Sequence, residues 1–187
     1  MEVEVSAEAK DKRLNRFVAV TVVLLSVFTG LCNIKDGNIV QAMQQAKSDS
    51  VDRWGEYQAT RTKLHIAETA RAQMLVIAGS KPVPAASQAL ASLDRDIAKY
   101  KSEAPDLARQ AQSLSDRYDA LNVHDDQFDA SEAAISTAIS IAAVAALVET
   151  FWLLWGAWAF GAFGLFMGVC GFAGWPFHPD LLSTWLG

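Results

Sequence analysis

The chain has 187 residues, of which 51% are hydrophobic and 20% are charged, and its formal net charge is −5. Residues 35–132 carry 12 of the 16 Lys and Arg and 15 of the 21 Asp and Glu, whereas residues 17–32 and 133–174 carry only Glu149. This segregation excludes a single globular core and is typical of a membrane protein with one polar module. The acidic balance argues against a nucleic-acid-binding protein.

The first apolar segment, "FVAVTVVLLSVFTGLC" (Phe17–Cys32), predicts a transmembrane helix over residues 14–35. A signal peptide is the alternative, but no A-x-A-like cleavage site follows the segment. Lys10, Lys12, Arg13 and Arg16 precede the span. The positive-inside rule therefore predicts a cytoplasmic N-terminal segment (residues 1–13) and an extracytoplasmic polar module.

The polar module, residues 36–130, predicts an antiparallel helical hairpin whose loop lies near residues 79–86, in "AGSKPVPAAS". The second arm has apolar residues at alternating spacings of three and four, which indicates a coiled-coil seam. The members of this seam are Leu90, Leu93, Ile97, Tyr100, Ala104, Leu107, Ala111, Leu114, Tyr118 and Leu121. In the first arm, Ser50, Arg53 and Thr60 interrupt a weaker stripe, and Pro105 predicts a kink or local break in the second arm.

The last apolar segment, residues 133–174, is about twice as long as one span requires. A single helix of that length would measure roughly 63 Å, so two spans are expected, over residues 131–150 and 151–174. Glu149 falls at the turn between them. Residues 175–187 are expected to form an interfacial tail, with a short helix that starts at Pro179.

Several short motifs in this order resemble a known family. They are "MEVEV" before a basic stretch and a span, Gly37-Asn38, "WGEYQATRTK" and "HDDQFDASEA". Together they are similar to the bacterial membrane family catalogued as domain of unknown function 4337. The resemblance implies a three-span helical anchor and brings no known activity. The family tends to carry basic residues at the turn between its last two spans, whereas "VETFWLLW" has none.

Two glutamates are candidates for an ion or proton pathway, because charge inside a bilayer is costly and is often functional there. Glu149 lies about 27 Å along a span that starts near Ser131, which favours an interfacial turn residue over a buried proton site. Glu132 ends an acidic segment, His124–Glu132, in which Asp125, Asp129 and Glu132 share one helix face. A solvated acidic face is expected there, and the alternative is a divalent cation site.

Four glycines in the third predicted span recur at spacings of three, four and three: Gly161, Gly164, Gly168 and Gly171. They predict a packing face against alanines of the second span or against another subunit. Cys32 and Cys170 have neither metal-ligand nor CxxC spacing. Small apolar packing is expected for both, with a disulfide as the alternative.

The sequence contains no phosphate loop, nucleophile elbow or HExxH motif, so we expect no enzymatic activity, no cofactor and no resident metal. The predicted fold class is an all-α membrane protein with three transmembrane helices and a coiled-coil hairpin between the first and second. The predicted function is a membrane-anchored scaffold that acts by protein–protein contacts, as a homo-oligomer or as an accessory subunit in a bacterial inner membrane. The alternatives are a small oligomeric channel or transporter and an extracytoplasmic sensor that needs a signalling partner.

Overall fold

A computed structural model describes residues 2–78 and 84–177, with side chains for residues 12–77 and 84–177. Three helices account for nearly all of this part of the chain: α1 (Glu2–Ala78), α2 (Pro84–Leu147) and α3 (Phe151–Ala173). No strand occurs among the described residues. The all-α class is therefore confirmed. The predicted loop and the predicted C-terminal helix fall mostly on residues 79–83 and 178–187, which lie outside the described residues.

Each of the three helices contains a stretch long enough and apolar enough to cross a membrane. The first lies in the N-terminal part of α1, the second in the C-terminal part of α2, and the third makes up α3. The prediction of three apolar spans is confirmed at the level of length and composition. Helix α1 continues without a break from its apolar stretch into the first arm of the hairpin.

Helix α2 contains one proline at its first position and one in its interior. Pro84 begins the helix, where its missing N–H group leaves no helical hydrogen bond unmade. Pro105 lies in the interior, and the helix runs through it without interruption, so of the predicted kink or local break the break does not occur. The neighbours of Pro105 explain this, because Ala104 is buried and Leu107 is half-buried on the face turned toward α1. Packing on that face holds the helix together although one backbone hydrogen bond is missing.

The chain folds into two compact units, and the first contains the residues up to Ala42 and those from Ala120 onward. Its core holds the side chains of Leu14, Val18 and Leu154 together with three alanines, Ala142, Ala145 and Ala157. A second cluster joins Leu25, Ile135 and Ala138. Small side chains on α2 let the helices approach closely, as is common in membrane helix bundles.

The second unit, Met43–Asp119, pairs the remainder of α1 with the first part of α2. Every member of the predicted seam from Leu90 to Tyr118 is buried or half-buried, whereas the side chains between them are mostly exposed. Ion pairs connect the arms outside the seam, including a 2.8 Å contact between Lys101 Nζ and Glu68 Oε1. Exposed ion pairs of this kind add little stability. Burial of the seam residues therefore contributes most to the pairing of the two arms.

Polar residues in the first arm belong to the seam rather than interrupting it. Ser50 is only 3% exposed and Thr60 only 8% exposed. The Ser50 hydroxyl lies 3.1 Å from the carbonyl oxygen of Ala111 and 2.9 Å from the hydroxyl oxygen of Ser115. Because small partners on α2 satisfy the hydroxyl group, the packed face continues through this position. The reading of Ser50 and Thr60 as interruptions is therefore wrong.

Candidate functional site: carboxylates shared by α1 and α2

Three aspartates from two helices meet within the first unit. Asp125 and Asp129 lie one turn apart on α2, and Asp36 of α1 interacts with both. We call Asp36, Asp125 and Asp129 the carboxylate cluster. Sequence reasoning identified the α2 members, and the structure adds the α1 member.

Burial and mutual repulsion raise the proton affinity of this cluster. Burial is the largest cause that raises the pKa of Asp125 to about 6, followed by the charges of Asp36 and Asp129. A hydrogen bond with Asp36 and the charge of Asp126 act in the same direction. Asp129 is exposed, yet its pKa is also raised: partial loss of water around the carboxylate is the largest cause, followed by the charges of Asp36, Asp126 and Glu132. Carboxylates that share a site cannot all ionise at their ordinary pH.

Asp36 was missed because sequence reasoning treated it as the first residue of a solvated module. Its position nevertheless continues the buried phase of α1, in which Cys32, Ile39, Met43 and Ala46 are all buried. The spacings of four and three from Cys32 through Asp36 to Ile39 are the available signal. They place an acidic side chain on the face that meets α2. One of its oxygens, Oδ1, is buried without a hydrogen-bond partner among the described residues.

The cluster can hold a proton between carboxyl groups at a pH at which isolated aspartates are ionised. The geometry supports metal binding at this cluster less than it supports proton sharing. Among residues 12–77 and 84–177, no group of three His, Cys, Asp or Glu side chains is arranged to hold a metal ion. His124 of the acidic segment instead lies 3.1 Å from the amide oxygen of Gln127.

Gln127 and Ser131 connect α2 to α3 just beyond the cluster. The Gln127 side-chain amide donates hydrogen bonds to the carbonyl oxygens of Trp175 (2.8 Å) and Phe177 (2.5 Å). The hydroxyl group of Ser131 donates to the carbonyl oxygen of Gly164 at 2.7 Å. Both residues are fully buried. These polar contacts hold the middle of α3 and the residues after its end against the segment of α2 that carries the carboxylates.

The four glycines of α3 are buried within this same unit. A Cβ atom at Gly164 would lie 2.7 Å from Ile135 Cγ1, and one at Gly171 would lie 2.8 Å from the ring of Phe128. A Cβ atom at Gly168 would meet the ring of Phe28, and one at Gly161 would meet the side chain of Leu25. The glycine face thus meets α1 and α2 of its own chain.

The two pathway candidates are separated along the fold. Glu132 is exposed on α2, beside the carboxylate cluster. Glu149 is exposed in the turn between α2 and α3, with a left-handed φ of 55°. Seventeen residues separate them, roughly 25 Å of helix, so they do not form one site. Cys32 and Cys170 are both buried free thiols.

Comparison with known proteins identifies one family. A family profile described as "Domain of unknown function (DUF4337)" matches residues 14–174, from the first apolar stretch to the end of α3. No curated protein and no solved structure matches the chain significantly. The match covers most of the sequence, and the chain therefore belongs to the DUF4337 family.

Proposed function

We propose that this protein is a non-enzymatic, membrane-anchored helical scaffold that acts by protein–protein contacts, as a homo-oligomer or as an accessory subunit of a membrane complex. The observation that carries the proposal is the form of the hairpin. Its two arms, about 36 residues each, pair through one narrow seam and leave their other faces exposed. Long exposed helical faces are suited to binding other helices or flat protein surfaces.

The first unit supports the anchoring role. Each of its helices contains an apolar stretch long enough to cross a membrane, and large side chains such as Val23, Leu24 and Leu31 point outward on α1. Exposed apolar side chains of this kind match the interior of a bilayer. Small residues and glycines fill the contacts between the helices, which is the packing expected where lipid surrounds the bundle.

We assign the protein to the bacterial inner membrane, with a cytoplasmic N-terminus and an extracytoplasmic hairpin. The cations before the first span support this orientation. Labelling of intact cells with a membrane-impermeant maleimide tests it, with cysteine introduced at exposed Ala98 of the hairpin. We expect Ala98→Cys to react in intact cells. Reaction only after lysis would reverse the orientation.

A small oligomeric channel or transporter is the second candidate, with Glu132 or Glu149 lining the pathway. The observation that favours it is the raised pKa of Asp125 in a cluster whose member Asp129 interacts with Glu132, since a carboxyl group with pKa about 6 can exchange protons near neutral pH. In this alternative, the carboxylates carry protons or ions across the membrane.

Purification of the full chain in mild detergent, with mass determination and identification of co-purifying proteins, tests the scaffold. We expect a mass above that of one chain or a reproducible stoichiometric partner. Reconstitution into liposomes, with proton flux measured for the wild type and for Glu132→Gln and Glu149→Gln, separates the two candidates. Flux that depends on either glutamate would replace the scaffold by the channel.

A further inference from the structure

The first arm of the hairpin presents an uncharged face to solvent. We call it the outer stripe; its members are Val51, Gly55, Gln58, Thr62, Ile66 and Thr69. Their steps of four and three average close to the 3.6 residues of a helical turn, so they lie on one face of α1. The same phase extends to Gln44 in one direction and to Val76 in the other. At 100° per residue, this face lies nearly opposite the buried seam that contains Ser50 and Leu64.

Every member of the outer stripe is exposed, and its apolar members are strongly so. Val51 is 59% exposed, Ile66 is 63% exposed, and Val76 at the end of the phase is 83% exposed. Gly55 lies among them in open space, since a Cβ atom there would meet nothing within 4 Å. Glycine weakens a helix interior, and its missing side chain allows another backbone to approach closely.

Charged side chains of this arm avoid the stripe. Nine Lys, Arg, Asp and Glu residues lie between residues 43 and 78, and none of them falls on the phase that runs from Gln44 to Val76. A solvated helix face has no need of such exclusion, because exposed charge is favourable in water. Exclusion of charge from the centre, with charge at the edges, is the pattern of a helix–helix contact.

The edges of the stripe carry complementary charges. Lys47 lies on one flank and Asp52 on the other, five residues further along the helix. In a parallel helix pair, a flanking residue faces the residue five positions later on the opposite flank of its partner. Two parallel copies of this arm would therefore bring Lys47 of each copy to Asp52 of the other, giving two symmetric ion pairs.

A second copy of this chain fits the surface for a further reason. Copies of one chain inserted in one membrane share the same orientation, which favours symmetric pairing of identical surfaces. The face from Gln44 to Val76 measures about 50 Å by roughly 10 Å, or on the order of 500 Å² per copy. Such an area is at the low end for specific interfaces. Confinement to a membrane raises the effective concentration and compensates for this.

We propose that the outer stripe is a homotypic contact surface, through which two copies of this chain pair in parallel along their first arms. The proposal rests on the proposed scaffold function and names its partner and its surface. It assigns self-association to a face different from the Leu90–Leu121 seam and the α3 glycines, both of which are occupied within one chain.

Cysteine cross-linking of the full-length protein in its native membrane tests the proposal. Thr62 lies at the centre of the stripe, and in a parallel two-fold pair it faces its own counterpart. Thr62→Cys should form a covalent dimer under mild oxidation at least tenfold more efficiently than Ala98→Cys, an exposed position on the second arm. The wild type is the background control, because its two cysteines are buried. Equal dimer yields from both variants, or no dimer from Thr62→Cys, would overturn the proposal.

Exchange of the flanking charges in the Thr62→Cys background tests the parallel register. Lys47→Asp and Asp52→Lys should each lower the dimer yield several-fold, and the double exchange should restore it. Lys47 also lies over the ring of Tyr118 within its own chain, so recovery in the double variant is the decisive readout. Failure to recover contradicts the register. If the purified protein is oligomeric but Thr62→Cys does not cross-link, the scaffold function stands and this surface is wrong.

Discussion

The hydroxyl group of Ser131 donates a 2.7 Å hydrogen bond to the carbonyl oxygen of Gly164, which joins α2 to α3 where both are buried. The contact depends on the missing side chain of Gly164. A Cβ atom there would lie 3.0 Å from the carbonyl oxygen of Ser131 and 2.7 Å from Ile135 Cγ1. The close approach of the two helices and the hydrogen bond between them therefore both depend on glycine at position 164.

Replacing Gly164 by alanine should destabilise the first unit. The added methyl group meets backbone atoms that cannot move independently, and overpacking of this kind costs about 1–3 kcal/mol. Thermal unfolding of the full chain in detergent measures the effect. Gly156→Ala is the matched control on the same helix, because a Cβ atom at Gly156 would meet nothing within 4 Å. Equal effects of the two substitutions would contradict the glycine packing described above.

Stability should depend on pH through the carboxylate cluster. The pKa of Asp125 is about 6 in the folded chain, above its ordinary value of 3.8. Between these values the folded chain binds more protons than the unfolded chain, so stability falls as pH rises through this window. Asp36→Asn removes a charge that raises this pKa and should flatten the dependence.

Unfolding temperatures of the wild type and Asp36→Asn, measured from pH 4 to pH 7.5, test this linkage. The variant should gain stability relative to the wild type at pH 7.5, which lies above the pKa of about 6 of Asp125, because the charge of Asp36 no longer repels the ionised Asp125 carboxylate. Burial still raises the pKa of Asp125 in the variant, so the slope should decrease without vanishing. Identical profiles for the two proteins would show that Asp36 does not act on the α2 aspartates.

Enlarging Ala111 should disrupt the hairpin. Ala111 is fully buried, and its carbonyl oxygen accepts the hydrogen bond from Ser50. Ala111→Leu forces the arms apart and should cost roughly 1–3 kcal/mol by overpacking. Protease protection of the hairpin in the full chain reports the change. Ala98→Leu, on the exposed side of the same helix, should leave protection unchanged, and a loss there would show that the leucine itself is harmful.

Removing Pro105 should stabilise α2. The helix is continuous at this position, and proline in a helix interior is about 3 kcal/mol less favourable than alanine. Because packing already absorbs part of this cost, we expect Pro105→Ala to gain roughly 1–2 kcal/mol in unfolding experiments. Pro84→Ala serves as the comparison, since proline is well accommodated at the first position of a helix. A loss of stability in Pro105→Ala would indicate that the proline shape is needed.

Sequence patterns predicted the elements of this fold whose signals are local. The Leu90–Leu121 seam was visible because every turn of the second arm places an apolar side chain on one face, and all of its members from Leu90 to Tyr118 are buried or half-buried. The glycine spacing in α3 similarly indicated a packing face. Pro105 does not interrupt α2, because helix propensity acts at one residue whereas packing acts along the whole arm.

The amino-acid sequence by itself determined the helical class, the three apolar stretches and the antiparallel order of the arms. Hydrophobic periodicity and segment length are properties of consecutive residues, and they suffice for these features. Only the tertiary structure decided that Ser50 belongs to the seam and that Asp36 joins Asp125. Whether a polar side chain can be buried depends on the atoms opposite it, and those atoms belong to residues 60 or more positions away in the chain.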